Sequence, residues 1–410
     1  MTDKSQENIA IIGAGLSGLS CALELERHGQ HCVIYDAADQ IGGRVQTKEL
    51  DGFLLDRGFQ VLLDSYPEVQ RLELGDEWSA GAFRSGAMIR HDKKWLRIEN
   101  PIKHPGAWLR LPLLPKGFSA DLVKLGSWFM GGKEEAEGST DYLLHHIGLS
   151  EDFIETFLRP FFGGVFLDLS LSAQASRFRT LMGYFFKGEA TLPKGGMQAL
   201  PQALAGRLKT SEIRLQQQVR KVQAGLLELE DGTTAHYDTI IVATGGPQAV
   251  ELLDLEITIH SRAVECYYFE VPADQLAGED VLFLSGEQGP VCNLVFPGSV
   301  ESSYVAKGRV LVSATVLGEE WIGNEGTLDH VQTQLAEWFP VPKDEWKLIE
   351  KITIQHALPD QSTPPPLFNK YERGSGVFLC GELTDWPSIN GALASGRRAA
   401  QSVLSTLPVN

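Results

Sequence analysis

Three groups of residues carry chemistry by their type and spacing. The first is Gly13-Ala14-Gly15-Leu16-Ser17-Gly18, with Asp36 lying 18 residues beyond Gly18 and Gly42-Gly43-Arg44 soon after. The second is Ala243-Thr244-Gly245-Gly246, and the third is Cys380-Gly381-Glu382 with Asn390-Gly391-Ala392 behind it. In the first group Gly13 allows a tight turn, Gly15 lets backbone approach a pyrophosphate, and Gly18 lets helix and strand pack closely. The amides around Ser17 would open a helix, where free N–H groups and the positive dipole end attract phosphate. Asp36 stands where a carboxylate can accept both hydroxyls of a ribose.

These residues need elements to hold them. Ile9 to Ile12 is a short apolar run before the glycine turn, a helix-period segment runs on to Gly29, and Cys32 to Tyr35 is a second apolar run ending in Asp36. Strand, turn, helix, strand and acid therefore follow in the order of a dinucleotide-binding unit, which by itself serves NAD and FAD equally. Glu228 to Tyr237 carries a hairpin signal at Asp231-Gly232 and leads into a strand, Asp238 to Ala243. Gly376 to Cys380 reads as a strand ending in Gly381-Glu382, followed by a helix over 388–400 with Asn390 as its expected N-cap. A strand ending in Gly-acid can meet ribityl hydroxyls, and the following helix start can stabilise charge on a reduced isoalloxazine.

With these blocks in place the chain resembles the FAD-dependent amine oxidase superfamily, including the phytoene-type carotenoid desaturases and protoporphyrinogen oxidases. The resemblance rests on Gly13 to Arg44, on Leu192-Pro193-Lys194-Gly195-Gly196-Met197 through Val219 to Gly245, and on Phe378 to Ala400. It implies non-covalent FAD. Gly13, Ala14, Gly15, Ser17 and Gly18 would form the pyrophosphate turn and Asp36 the adenosine-ribose acid, where the family more often has glutamate. Gly43 and Arg44 would reach the phosphates or the flavin edge, and the backbone of Val219 would meet adenine. Thr244 and Gly245 would close the middle strand, while Gly381, Glu382, Asn390, Gly391 and Ala392 would face the flavin. Members that link flavin covalently use a cysteine in a different setting from Cys380.

The implied fold class is α/β: a Rossmann-type FAD-binding domain interleaved with an α+β substrate or cap domain containing a mostly antiparallel sheet. Spacing of the blocks assigns 1–85, 191–255 and 351–410 to the cofactor domain and 86–190 and 256–350 to the cap. Strands are expected at Ala263 to Val271, Val281 to Leu284, Val291 to Phe296 and Arg309 to Val316, with a helix from Leu328 to Phe339. The expected reaction is oxidation or desaturation of a bound, lipophilic small molecule of isoprenoid or tetrapyrrole type, with flavin N5 accepting hydride. The segment from Phe161 to Leu200 inclines the resemblance toward those branches. One alternative is an oxidase of a soluble amine; another is a flavin-holding protein with an isomerase or structural role. No catalytic acid or base is legible. Lys307 has no surrounding motif and reads as a surface lysine.

Composition narrows the partners. The 410 residues are 43% hydrophobic and 22% charged, ordinary for a soluble globular chain, and the net charge of −17 argues against nucleic acid. Five cysteines without CxxC spacing argue against a zinc site or a disulfide framework and point to a reducing compartment. The polar N-terminus reads as lacking a signal peptide, and no apolar run is long enough to span a bilayer, so a cytoplasmic location is expected. No metal site is expected, and His145-His146 reads as solvent-facing. Residues 101–130 mix Trp, Leu and Phe with Lys and Arg, a composition suited to peripheral contact with a membrane. The competing reading of that segment is a helix pair covering the cap's own core.

Overall fold

The computed structural model describes residues 8–75, 78–100, 103–131, 137–287 and 289–407. Pro101 and Ile102 of the amphipathic segment therefore lie outside the described residues. The glycine-rich start folds as expected: β1 (Ile9–Ile12), α1 (Leu16–Arg27) and β2 (Cys32–Tyr35). All four residues of β1 are buried, which is why it reads as a continuous apolar run rather than an alternating one. It pairs in parallel with β2 on one side and with Thr239–Val242 on the other. The complete six-stranded sheet runs Glu212–Arg214, β2, β1, Thr239–Val242, Val377–Leu379, Glu372–Gly374, and only the last strand is antiparallel. The middle and C-terminal strands thus stand beside the first although more than 200 residues of chain separate them.

Against this sheet lies a helix pair. Gly396 of the C-terminal helix (Ile389–Thr406) has no room for a Cβ, which would collide with the Ser17 carbonyl oxygen of α1. Ser20 Oγ donates to the Leu393 carbonyl across the same crossing at 2.8 Å. Small residues on one side of the last helix are therefore there to bring two backbones together.

The second body is a seven-stranded sheet ordered Lys347–Pro359, Ser261–Pro272, Arg309–Val316, Val291–Val295, Leu282–Ser285, Gly86–His91, Lys94–Glu99. Every pairing is antiparallel except that of Leu282–Ser285 with Gly86–His91. Helix Thr327–Trp338 packs on one face through Val331, Leu335 and Trp338. Residues 351–359, grouped above with the cofactor segments, belong to a strand of this sheet. That strand lies at the sheet's edge with most of its residues exposed or half-buried, so it lacks the apolar run that marks the other strands. Helices Thr140–His146, Arg159–Phe166 and Ala175–Lys187 complete this body around Phe153, Phe162, Phe166 and Phe178. His145 and His146 are exposed, and His145 Nε2 lies 2.9 Å from Glu151 Oε2.

Asp56 joins the two bodies. Its carboxylate accepts from Thr47 Oγ1 at 2.6 Å, Tyr304 OH at 2.7 Å and the Met197 amide at 2.9 Å, and the residue is only 4% exposed. Burial pushes this carboxyl up to about 6, against the lowering effect of its three donors. A folded value above the unfolded one near 3.8 means that the native state holds the proton more tightly. The resulting stabilisation is present below about pH 4 and is lost as pH rises through about 6, by up to about 3 kcal/mol. Chemical denaturation of the wild type and Asp56→Asn between pH 4 and 7 should show the difference moving in favour of the Asn variant. Parallel pH profiles would mean that Asp56 titrates as an ordinary carboxylate.

Candidate cofactor site

Residues from the three motif groups meet at the C-terminal edge of the six-stranded sheet, the general location of ligand sites in open α/β folds. Gly13 has φ +110 and donates from its amide to the Tyr35 carbonyl at 2.7 Å, which folds the turn back over β2. A Cβ on Gly18 would collide with the Gly13 carbonyl oxygen, so that glycine serves helix–strand packing. Gly15 differs from both: nothing lies within 4 Å of the place its Cβ would occupy. Helix α1 begins there with no side chain capping it and no acidic residue in its first turn. Its leading amides and uncompensated dipole are left for an anion in that open space.

Asp36 is tied to this turn. Its Oδ2 accepts from the Ala14 amide at 2.6 Å and its Oδ1 from the Ala38 amide at 2.8 Å. Each oxygen keeps a second lone pair with which to accept a hydroxyl. The Gln217 amide donates to the Asp36 carbonyl at 2.8 Å, bringing the start of strand Val219–Gln223 alongside. The Val219 side chain itself is buried in the cluster that holds Tyr35, Tyr237 and Val242.

The Gly42-Gly43-Arg44 turn is strapped onto the first one. The Gly42 amide donates to the Ala14 carbonyl at 2.9 Å, and a Cβ on Gly43 would stand 3.5 Å from Gly15 Cα. Arg44 then reaches across to the C-terminal motif: its Nη2 lies 2.6 Å from Glu382 Oε2, and its Nη1 donates to the Ala357 carbonyl at 2.9 Å. Glu382 Oε1 accepts from the Gly246 amide at 2.6 Å. Arg44, expected on phosphate or flavin, and Glu382, expected on ribityl hydroxyls or phosphate-linked water, form an ion pair with each other, the Arg44 side chain 40% and that of Glu382 5% exposed.

Gly381 (φ +104) closes the gap between the termini. A Cβ there would lie 3.6 Å from the Thr244 carbonyl oxygen and 3.8 Å from Ser17 Oγ, and its amide donates to Ser395 Oγ at 2.6 Å. Gly245 is the N-cap of helix Gly246–Leu252. The C-terminal helix is capped by Ser388, whose Oγ accepts from the Gly391 amide at 2.9 Å, rather than by Asn390. Asn390 Oδ1 instead accepts from the Glu68 amide at 3.0 Å, docking helix Pro67–Leu72 on the same helix start. Gly391 must be glycine because a Cβ would collide with the Trp386 carbonyl oxygen, and Ala392 follows half-buried. Sequence reasoning assigned no role to Ser388 or Ser395; a serine three residues before a glycine amide was the available signal for the first.

The remaining candidates sort by burial. All five cysteines are free and buried, and burial pushes the Cys380 thiol up to about 12, so it offers no thiolate for a covalent link. Lys307 is exposed. Among the described residues no group of three or more His, Cys, Asp or Glu side chains could hold a metal ion, and no helix is long and apolar enough to cross a membrane. Phe162, Phe166, Tyr267, Tyr268 and Phe269 are core, while Phe161, Tyr184, Phe185 and Phe186 are half-buried.

The chain is similar to known proteins. A probable zeta-carotene desaturase of Synechococcus elongatus is 24% identical over 97% of this chain and 98% of its own. The coproporphyrinogen III oxidase of Bacillus subtilis is 22% identical over 60% of this chain and 62% of its own. Putrescine oxidase bound to putrescine shares the fold with a TM-score of 0.73 at 16% identity, covering 98% of this chain and 99% of that one. A family model of NAD(P)-binding Rossmann-like domains matches residues 11–72. The model of the flavin containing amine oxidoreductases matches residues 132–404, and with most of its length so matched the chain belongs to that family of flavin-dependent oxidoreductases.

Proposed function

We propose that this oxidoreductase holds FAD non-covalently and oxidises or desaturates a small lipophilic molecule of isoprenoid or tetrapyrrole type. The Gly15 turn would take the pyrophosphate, Asp36 the adenosine ribose, and the Gly381–Ala392 loop and helix start the flavin. Bound flavin supplies a hydride acceptor. The chain's part is to position, to exclude water and to set the charge around that acceptor.

One observation carries the lipophilic reading: three successive aromatic residues of helix Ala175–Lys187 meet rings on different sides of it, one beside an exposed apolar surface and one beside helix Pro67–Leu72. Leu109, Leu113 and Met130 are 82%, 77% and 78% exposed. Phe129, beside Met130, stacks on Phe186 at 4.7 Å, the neighbouring Phe185 meets Phe161 at 5.3 Å, and Tyr184 meets Tyr66 at 5.1 Å. Tyr66 precedes the short helix docked on Asn390. Such rings would favour an apolar substrate over a soluble amine. Lys307, the lysine weighed for the amine-oxidase reading, is exposed, which favours the lipophilic one.

The protein should purify yellow and release intact FAD on denaturation. Anaerobic mixing with a polyene or a porphyrinogen should bleach the flavin stoichiometrically. Bleaching by simple amines alone would move the assignment to amine oxidation, and a flavin indifferent to all three classes would leave a non-redox role.

The same surface supports a membrane-contact proposal for 101–130. Residues Pro105–Leu113 form a 3-10 helix and Phe118–Gly131 an α-helix. Phe118 and Leu125 face the core, whereas Leu109, Leu113, Val123 and Met130 face outward beside Arg110, Lys116 and Lys124. Wild-type protein should co-sediment with anionic liposomes, and Leu109→Ser/Leu113→Ser/Met130→Ser should abolish this without loss of flavin. No co-sedimentation at low salt, where surface attraction is strongest, would reject the contact.

A further inference from the structure

Arg177, on helix Ala175–Lys187, is a cation without a counterion at the flavin-side helix start. It is 7% exposed, its Nε is buried with no hydrogen-bond partner, and it makes no ion pair among the described residues. Its guanidinium lies 4.7 Å from the Trp386 ring centroid. Asp385, the carboxylate whose charge reaches it, is already ion-paired with Arg398 at 2.6 Å. Tyr66 and Tyr184 stand close enough to interact with the same guanidinium, and their phenols are pushed up by burial, so neither supplies a negative charge near neutral pH. Removal from water disfavours its charged form, the ordinary consequence of burying a cation with nothing opposite it.

Native structures rarely keep a buried charge unpaired unless something else completes the pair. Trp386 fixes where that completion would occur, because its carbonyl abuts Gly391 at the start of the C-terminal helix. We propose that Arg177 is a specificity residue that binds the carboxylate of an otherwise apolar substrate, with Trp386 bracing the guanidinium plane. The inference rests on the flavin reading above and deepens it: the substrate class becomes a hydrophobic molecule carrying an anionic group. A planar guanidinium offers a carboxylate two parallel donors, which a lysine cannot reproduce.

The test uses the flavin-loaded protein and its visible absorption. Benzoate should perturb the flavin spectrum saturably, and uncharged benzamide should bind at least tenfold more weakly. Arg177→Gln should weaken benzoate at least tenfold and leave benzamide unchanged, while Arg177→Lys should recover only part of the loss. Equal binding of the two probes, no benzoate effect up to its solubility, or an Arg177→Gln variant that binds benzoate normally would each overturn the proposal. Thermal melting keeps folding apart from binding: relief of an unpaired buried charge predicts a melting temperature no lower than wild type, whereas a purely structural arginine predicts a fall. Absence of flavin from the wild-type protein would reject the cofactor reading itself, a separate result visible before any probe is added.

Discussion

Gly15→Val should yield a folded protein that retains no flavin. The three glycines of the first turn look alike in sequence, yet the structure separates their duties. Gly13 sits at φ +110, where a side chain is strained, and Gly18 would press a Cβ into a carbonyl oxygen. Substitution at either should disturb the chain itself. Gly15 has φ −75 and ψ −179, a conformation valine adopts freely, and its Cβ direction is empty for 4 Å. A Cβ there meets nothing in the protein, and the branched side chain beyond it enters the space in front of the α1 amides. Steric overlap with a bound pyrophosphate, together with loss of its amide contacts, should weaken FAD by more than about 3 kcal/mol. Absorbance at the flavin band after purification, with a circular-dichroism melt of the same sample, reads both halves of the claim. Stoichiometric flavin in Gly15→Val would remove the turn from the cofactor site.

Much of the cofactor half was legible because its local signals agree with one another. An apolar run, a glycine turn, a helix-period segment and a second apolar run all specify one βαβ unit, and the chain folds that way from Ile9 to Tyr35. The cap strands from Ser261 to Val316 were legible for the same reason, since short apolar runs alternate with polar breaks. What escaped depends on contacts remote in sequence. Ser388 and Asn390 are both able caps two residues apart, and only the Glu68 amide, 322 residues away, explains why Asn390 is occupied elsewhere. Arg177 lies in a helix whose other basic residues suit a solvated face, and its aromatic partner Trp386 comes 209 residues later. Asp56 looks like a turn acid until Tyr304 and Met197 are seen to enclose it. The amphipathic segment divides between its two readings: Phe118 and Leu125 cover the cap core, while Leu109 and Leu113 do not. Sequence composition describes such a segment without saying which of its residues turn inward.

Glu382→Ala should detach the two ends of the cofactor site from each other. The carboxylate ties the Gly42–Arg44 turn to the start of helix Gly246–Leu252, through an ion pair with Arg44 at 2.6 Å and a hydrogen bond from the Gly246 amide at 2.6 Å. Removing it leaves an amide without an acceptor in a site whose carboxylate was 5% exposed, and a guanidinium held only by the Ala357 carbonyl. The charge-assisted hydrogen bond from Gly246 contributes about 1.5–3 kcal/mol, and the ion pair to Arg44, whose side chain is 40% exposed, adds no more than about 1 kcal/mol. The expected loss of folding stability in the flavin-free protein is therefore about 3 kcal/mol. Glu382→Gln can still accept from Gly246 and should fall short of that loss. Arg44→Ala alone should cost less than Glu382→Ala, and the double variant should cost little more than Glu382→Ala, because the two side chains share one ion pair. Additive losses in that cycle would show that Arg44 and Glu382 act independently, and the joint placement of the Gly13–Arg44 and Gly381–Ala392 motifs would then need another cause.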